Sequence, residues 1–305
     1  MTAKRRFVLV DVFADRPLAG NPLAVFPDAE GLSTETMQAL AREMDHAATA
    51  FLFPTRRTGA AFRLKIFSRD REIPFAGHPA LGAHFVHASE RRQALKEPVT
   101  RVAHEGADGL VGVELAVEAG RIAMLRLTQQ PPTYGAPLEP EGLARIAEAL
   151  GLEEEHIQAA NQPVQPVSTG LPVLIVPVAT LSALQNVRPR FDLLRAALEG
   201  HDASIVYAFT KETIAAPSAA HARAFDTAGS VEIPGAGAAA GALAAYLVAN
   251  SAVTVTPLTR LVIEQGHSLN RPSTLFAEVR VERLAVTRVV VGGRVIRVGE
   301  GTIEL

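Results

Sequence analysis

Residues 61–67 set Phe62, Leu64 and Ile66 against Arg63 and Lys65, the two-residue period of a half-buried antiparallel strand. A different period runs upstream. Met37, Leu40, Ala41 and Met44 fall at i, i+3, i+4 and i+7 behind Ser33 or Thr34, so a capped helix with one apolar stripe is expected there. Short apolar runs at residues 7–13, 23–26, 50–53, 100–104, 111–117 and 121–127 predict further strands, the first two joined by a turn at Gly20-Asn21-Pro22.

The texture breaks at Gln129-Gln130-Pro131-Pro132-Thr133-Tyr134-Gly135-Ala136-Pro137. Paired prolines continue neither a helix nor an interior strand, so a domain boundary is expected here, dividing the chain into residues 1–130 and 131–305. Beyond it the order repeats. A helix over 140–150 closes on Gly151, strands follow at 164–167, 171–176 and 205–210, and a helix lies near 193–198. Strands at 258–264, 273–279 and 287–297 end the chain, with Gly292-Gly293 read as a hairpin turn and the final strand free to return to the first domain.

Each half contains one glycine-bearing turn into a helix of small residues. In the first, Glu72-Ile73-Pro74-Phe75-Ala76-Gly77-His78-Pro79-Ala80-Leu81-Gly82 places Pro79 where a first helical residue is expected, since its missing N–H would have no partner there. In the second, Glu232-Ile233-Pro234-Gly235-Ala236-Gly237-Ala238-Ala239-Ala240-Gly241 leads into a helix reaching about residue 249. The first turn of a helix offers unpaired backbone N–H groups to an anion. Gly77, His78, Gly237 and Ala238 are therefore candidate ligand-binding residues, and two such helix ends facing one cleft would clamp a small carboxylate; Ala47, outside both turns, is a further candidate.

Composition narrows the chemistry. At 305 residues two domains are expected, and a formal net charge of -2 gives no electrostatic reason for a nucleic acid or an anionic membrane as partner. The absence of cysteine removes disulfides, thiolate nucleophiles and cysteine metal sites. Lys4-Arg5-Arg6 precedes an apolar run that Asp11 ends too early for a signal-peptide core, and the alanine-rich run 236–255 is interrupted by Gly241, Asn250 and Ser251. A soluble, cytoplasmic protein is expected. Gly235-Ala236-Gly237-Ala238-Ala239-Ala240 formally fits a dinucleotide fingerprint, but no apolar strand precedes it and no acid answers it between Asn250 and Val262. His84 and His87 lie one turn apart without a third ligand at suitable spacing, so no metal and no cofactor is expected.

Asp11-Val12-Phe13 with Pro17 to Phe26, Arg42-Glu43-Met44, Pro74 to Pro79, Ser168-Thr169-Gly170-Leu171-Pro172, the turn at 232–241, Ile263-Glu264-Gln265-Gly266 and Arg271-Pro272-Ser273 follow one known order. The chain resembles the PhzF-like phenazine-biosynthesis isomerase family over nearly its whole length. The resemblance implies an α+β, diaminopimelate epimerase-like fold: two similar domains, each a curled, mostly antiparallel sheet around a central helix, with a ligand cleft between them. It also implies a homodimer.

The same resemblance locates the proton-moving groups, and here the chain departs from it. Where the family typically has Asn-Leu-Ser-Glu-Thr, this chain reads Asp45-His46-Ala47-Ala48-Thr49, leaving Ala48 at the glutamate position. Where the family has Glu-Asp-Pro-Ala-Thr-Gly-Ser-Ala, Ile233, Ala236 and Ala238 replace aspartate, threonine and serine. Moving a proton between carbons needs a group to take it and one to return it, and alanine and isoleucine do neither. His78 is left as the candidate catalytic residue, with Asp45, His46 and Glu232 as candidate substitutes. Two functions follow: an isomerase-family enzyme of altered proton chemistry acting on a small carboxylic acid, or a pseudoenzyme that binds a small anion or a partner protein without turnover.

Overall fold

Why the chain carries two nearly uniform apolar helices becomes clear once each is seen packed against the strands of its own unit. The computed structural model describes residues 4–74, 77–90 and 92–305, which group into two units, 1–127 with 292–305, and 128–291. Phe75 and Ala76, the apolar approach to Gly77, lie outside the described residues.

The first unit contains β1 (Lys4–Val12), β2 (Asn21–Phe26), α1 (Thr34–Met44), β3 (Thr49–Phe53), β4 (Arg63–Phe67), β5 (Glu72–Ile73), α2 (Gly77–Ser89), β6 (Val99–Gly106), β7 (Gly109–Glu118), β8 (Arg121–Thr128) and, from the far end of the chain, β18 (Val295–Glu304). Pairing runs β18, β1, β2, β3, β4, β6, β7, β8, antiparallel except for β2 with β3 and β4 with β6. Successive side chains of a strand face opposite ways. Leu23 and Val10 accordingly reach α2, where a Cβ on Gly82 would lie 2.4 Å from Leu23 Cδ2. Phe26 faces the other way, stacked on Phe51 at 4.9 Å beneath Met37, Leu40 and Ala41 of α1.

The second unit contains β9 (Thr133–Tyr134), α3 (Pro140–Leu150), α4 (Glu154–Gln158), β10 (Gln165–Ser168), β11 (Pro172–Pro177), α5 (Leu181–Gln185), α6 (Phe191–Ala197), β12 (Ile205–Thr210), β13 (Ala220–Asp226), β14 (Val231–Ile233), α7 (Gly237–Ala249), β15 (Leu258–Gln265), β16 (Ser273–Glu282) and β17 (Ala285–Gly293). Its strands follow β9, β10, β11, β12, β13, β15, β16, with β14 also on β13; only β11 with β12 and β13 with β15 are parallel. Leu174, Val176, Val206 and Phe225 pack against α3 to α6. On the other face Phe209 meets Tyr246 of α7 with ring centroids 5.7 Å apart.

Three readings of the sequence need correction. Gly292-Gly293 is not a hairpin turn: β17 runs through both, and only Arg294 separates it from β18, which pairs with β1. Gly292 is there because a Cβ would lie 2.4 Å from the Leu125 carbonyl oxygen. Pro79 is the third residue of α2, since the helix already starts at Gly77, although its missing N–H still falls within the unpaired first turn. The sequence reading also passes over β13, whose Ala220, Ala222 and Ala224 alternate with His221 and Arg223. Those polar residues are buried because partners satisfy them, a pattern no hydrophobic period reveals.

No helix among the described residues is long and apolar enough to cross a membrane.

Candidate functional site

The end of α1 determines what precedes β3. Asp45 closes the helix in the left-handed conformation, φ 52°, its N–H donating to the Ala41 carbonyl at 3.3 Å. Its carboxylate turns outward to Arg69 at 2.8 Å, with both side chains more than half exposed, so Asp45 does not fill the space at Ala48. His46 is half-buried and Ala47 exposed. Ala48 is 1% exposed and presents only a methyl group.

His78 is the second residue of α2. Its ring Nε2 is buried and has no hydrogen-bond partner among the described residues. Burial, and then the charge of His46, lowers its pKa to about 3, so the ring is neutral at physiological pH. Gly77 is not required by packing, because an added Cβ would meet only Leu127 Cδ2, at 3.8 Å. The start of α2 therefore combines an uncrowded backbone with a neutral imidazole whose Nε2 is unsatisfied among the described residues, in a first turn whose N–H groups have no partner within the helix.

The start of α7 is built differently, from inert side chains held by outside braces. Ala236 caps the helix without a side-chain hydrogen bond. Gln265, fully buried, accepts from the Ala236 N–H at 3.2 Å and from the Tyr207 hydroxyl at 2.8 Å, and donates to the Ile233 carbonyl. The Ser273 hydroxyl donates to the Pro234 carbonyl at 2.7 Å. Gln129 donates to the Gly237 carbonyl at 2.9 Å and accepts from the Thr169 hydroxyl at 2.6 Å. Two glycines make room: a Cβ on Gly241 would overlap Gln129 Oε1, and one on Gly266 (φ 79°) would lie 2.3 Å from the Arg271 carbonyl and 2.5 Å from that of Pro234. Ile233 and Ala238 remain partly exposed at this turn and supply no titratable group.

Glu232 is engaged elsewhere. Its two oxygens take Arg223 Nε and Nη2 at 2.9 and 2.8 Å, Ser268 donates to Oε1, and Arg223 Nη1 also donates to the Leu184 and Val187 carbonyls. This satisfied, largely buried pair has a structural role, so Glu232 is not the substitute acid. Glu264 behaves similarly: burial pushes its pKa up, but N–H groups of Ile214 and Ala215 and the His221 ring outweigh this and lower it. His84 is hydrogen-bonded to His104 at 3.1 Å in the core of the first unit, and no group of three potential ligands among the described residues is placed to hold a metal. A cavity of about 630 Å³ lies in the second unit against β9, α3 and β10, lined by Tyr134, Arg145, Ser168 and His201; none of the candidate residues lines it.

The geometry thus brings His46, Ala48 and His78 into one unit and Ile233, Gly237 and Ala238 into the other. The braces Gln129, Thr169, Gln265 and Ser273 are missed as site-forming residues. Three of them belong to quoted motifs, which is the one signal the sequence carries.

Comparison with known proteins agrees with this architecture. The family profile described as phenazine biosynthesis-like protein matches residues 10–301. An uncharacterized isomerase of Mesorhizobium japonicum is 33% identical over 97% of this chain and 98% of its own. The trans-2,3-dihydro-3-hydroxyanthranilate isomerase of Pseudomonas chlororaphis is 32% identical over 98% of this chain and 99% of its own. A solved structure from Pseudomonas aeruginosa, described as that of a predicted epimerase, is 34% identical and superposes with a TM-score of 0.81, covering 99% of both chains.

Proposed function

Since this chain belongs to the phenazine biosynthesis-like (PhzF) family of isomerases, with the diaminopimelate epimerase-like fold, we propose that it binds a small carboxylic acid at the glycine-led start of α2 and moves a proton on it there. The observation that carries this is His78: a neutral imidazole whose buried Nε2 has no partner among the described residues, in the first turn of a helix whose N–H groups suit a carboxylate. A neutral ring accepts a proton, and an adjacent carboxylate raises its basicity from the low value set by burial. The start of α7, in the other unit, has a backbone held in place and side chains without a titratable group.

The substrate class follows from what the site lacks. With no carboxylate at Ala48 or Ile233, only a hydrogen already activated by conjugation is within reach of an imidazole, so unsaturated cyclic acids such as trans-2,3-dihydro-3-hydroxyanthranilate, the compound in the relative's name, are the first to test. A second reading rests on Ala48, Ile233 and Ala238 themselves: a binding protein without turnover. Following deuterium uptake from heavy water into that compound and into a panel of amino and hydroxy acids separates the two. Exchange by the wild type supports the enzyme. Exchange only after Ala48→Glu, Ile233→Asp and Ala238→Ser are combined assigns the chain to the second reading.

A further inference from the structure

The cavity of about 630 Å³ in the second unit has three walls, each fixed by its own backbone bonds. Gly135 N–H donates to the Pro166 carbonyl and Leu138 N–H to the Val164 carbonyl, both at 2.8 Å, which lays residues 133–138 along β10. Pro140 then starts α3, the second wall. Between α6 and β12, His201 N–H donates to the Leu198 carbonyl and Ala203 N–H to that of His201, both at 2.9 Å, so residues 200–202 form a tight turn, the third wall. A volume within roughly 300–1,000 Å³ and walls set by backbone suit a small molecule. Tyr134, Pro137, Leu138, Pro166 and Pro172 give the lining its apolar part, and Arg145, Glu139, Glu141, His201 and Asp202 its ionisable part. Glu141 and Arg145 lie four residues apart on α3, where opposite charges can meet across one turn. They do not pair: among the described residues no hydrogen bond or ion pair engages the side chain of Arg145, Glu141 or Asp202. Elsewhere on the same helix Glu148 does hold a cation, Arg190, at 2.8 Å.

We propose that this cavity is a second ligand site, taking a zwitterionic amino acid with an apolar side chain. A guanidinium without an internal partner is the group that grips a carboxylate, by two parallel hydrogen bonds. Arg145 has that role here. Glu141 and Asp202, from two different walls, take the ammonium group, and the ring of Tyr134 with the prolines beside it receives the side chain. The charge balance selects for both groups at once. Three carboxylates against one guanidinium repel a ligand that carries a carboxylate alone, and a ligand with an ammonium alone leaves Arg145 unpaired. All of these residues fall between 133 and 202, so the site is independent of the proton chemistry assigned to α2.

The test is calorimetric titration of the full chain with L-phenylalanine, 3-phenylpropanoate and phenethylamine, which share one apolar body and differ by a single charged group. L-Phenylalanine is expected to bind saturably at one site, and each of the other two at least roughly tenfold more weakly, the size of one lost hydrogen bond to a charged group. Arg145→Gln should weaken L-phenylalanine by a similar factor and leave phenethylamine unchanged. Glu141→Gln combined with Asp202→Asn should weaken both amines without weakening 3-phenylpropanoate. The three substituted positions are exposed, so the fold is expected to stay intact by circular dichroism. Imidazole ¹⁵N shifts locate the ligand: on saturation with L-phenylalanine His201 should move and His78 should not. No binding of L-phenylalanine, equal affinity for the three probes, or wild-type affinity in Arg145→Gln overturns the site and leaves the α2 reading untouched. A titration that moves His78 in place of His201 overturns the site and supports that reading.

Discussion

The starts of α2 and α7 are two solutions to the same local problem, and the difference lies in where the hydrogen bonds go. At α7, side chains from three other segments hold the Ile233, Pro234 and Gly237 carbonyls and the Ala236 N–H. At α2, the nearby polar ring of His78 has a buried nitrogen with no hydrogen-bond partner among the described residues. A satisfied network rigidifies, whereas an unsatisfied buried polar atom costs roughly 1–3 kcal/mol and persists where something else uses it. The contrast is between a turn whose backbone is tied down by side chains and a turn that leaves a buried ring nitrogen for a ligand to use, as the proposed function requires.

The broadest consequence of that contrast is acid lability of the first unit. Burial lowers the pKa of His78 to about 3 and of His104 to about 4, and it also lowers those of His84 and His87. An unfolded histidine titrates near 6.5, so between that pH and the folded values the unfolded chain binds more protons, and stability falls as pH falls through this window. In the second unit the described histidine with a lowered pKa is His267. Hydrogen exchange followed from pH 7 down to about 4 should therefore show the α2 and β6 amides losing protection before those of α7 and β15. Simultaneous loss in both would break the comparison.

Next in size is Arg223→Met. It strands the Glu232 carboxylate, and losing one partner of a buried pair costs about 3–5 kcal/mol. Chemical denaturation should record that loss. Unchanged stability with abolished exchange would instead return Glu232 to the chemistry. Gly266→Ala should cost somewhat less, roughly 3 kcal/mol, because a Cβ there meets two backbone oxygens at a positive φ. It should also disturb the α7 turn without moving the His78 titration, which sharpens the claim that the two turns are separately built.

How legible this was depends on how each element carries its information. α1 announces itself through its stripe and Ser33 cap, and the structure starts it at Thr34 with the Ser33 hydroxyl accepting from Thr36 N–H. α2 and α7 are apolar on all sides because they are enclosed, so periodicity is silent and only the glycine-led turns locate them. The β13 strand hides its burial behind His221 and Arg223, whose neutralising partners Glu264 and Glu232 stand 43 and 9 residues away in the chain. At the candidate site, Ala48 and Ile233 could be recognised as inert from the residues alone. That Asp45 turns away, that Glu232 is locked to Arg223 and that Gln129 braces α7 from the linker are matters of long-range pairing, which spacing does not encode.

The central claim is that proton transfer belongs to the α2 turn. Its most direct test is the deuterium exchange rate of His78→Gln compared with the wild type, on whichever acid of the panel the wild type exchanges fastest. A fall of about 100-fold or more, with folding intact by circular dichroism, is the result this account predicts. Exchange at the wild-type rate in that variant would contradict it.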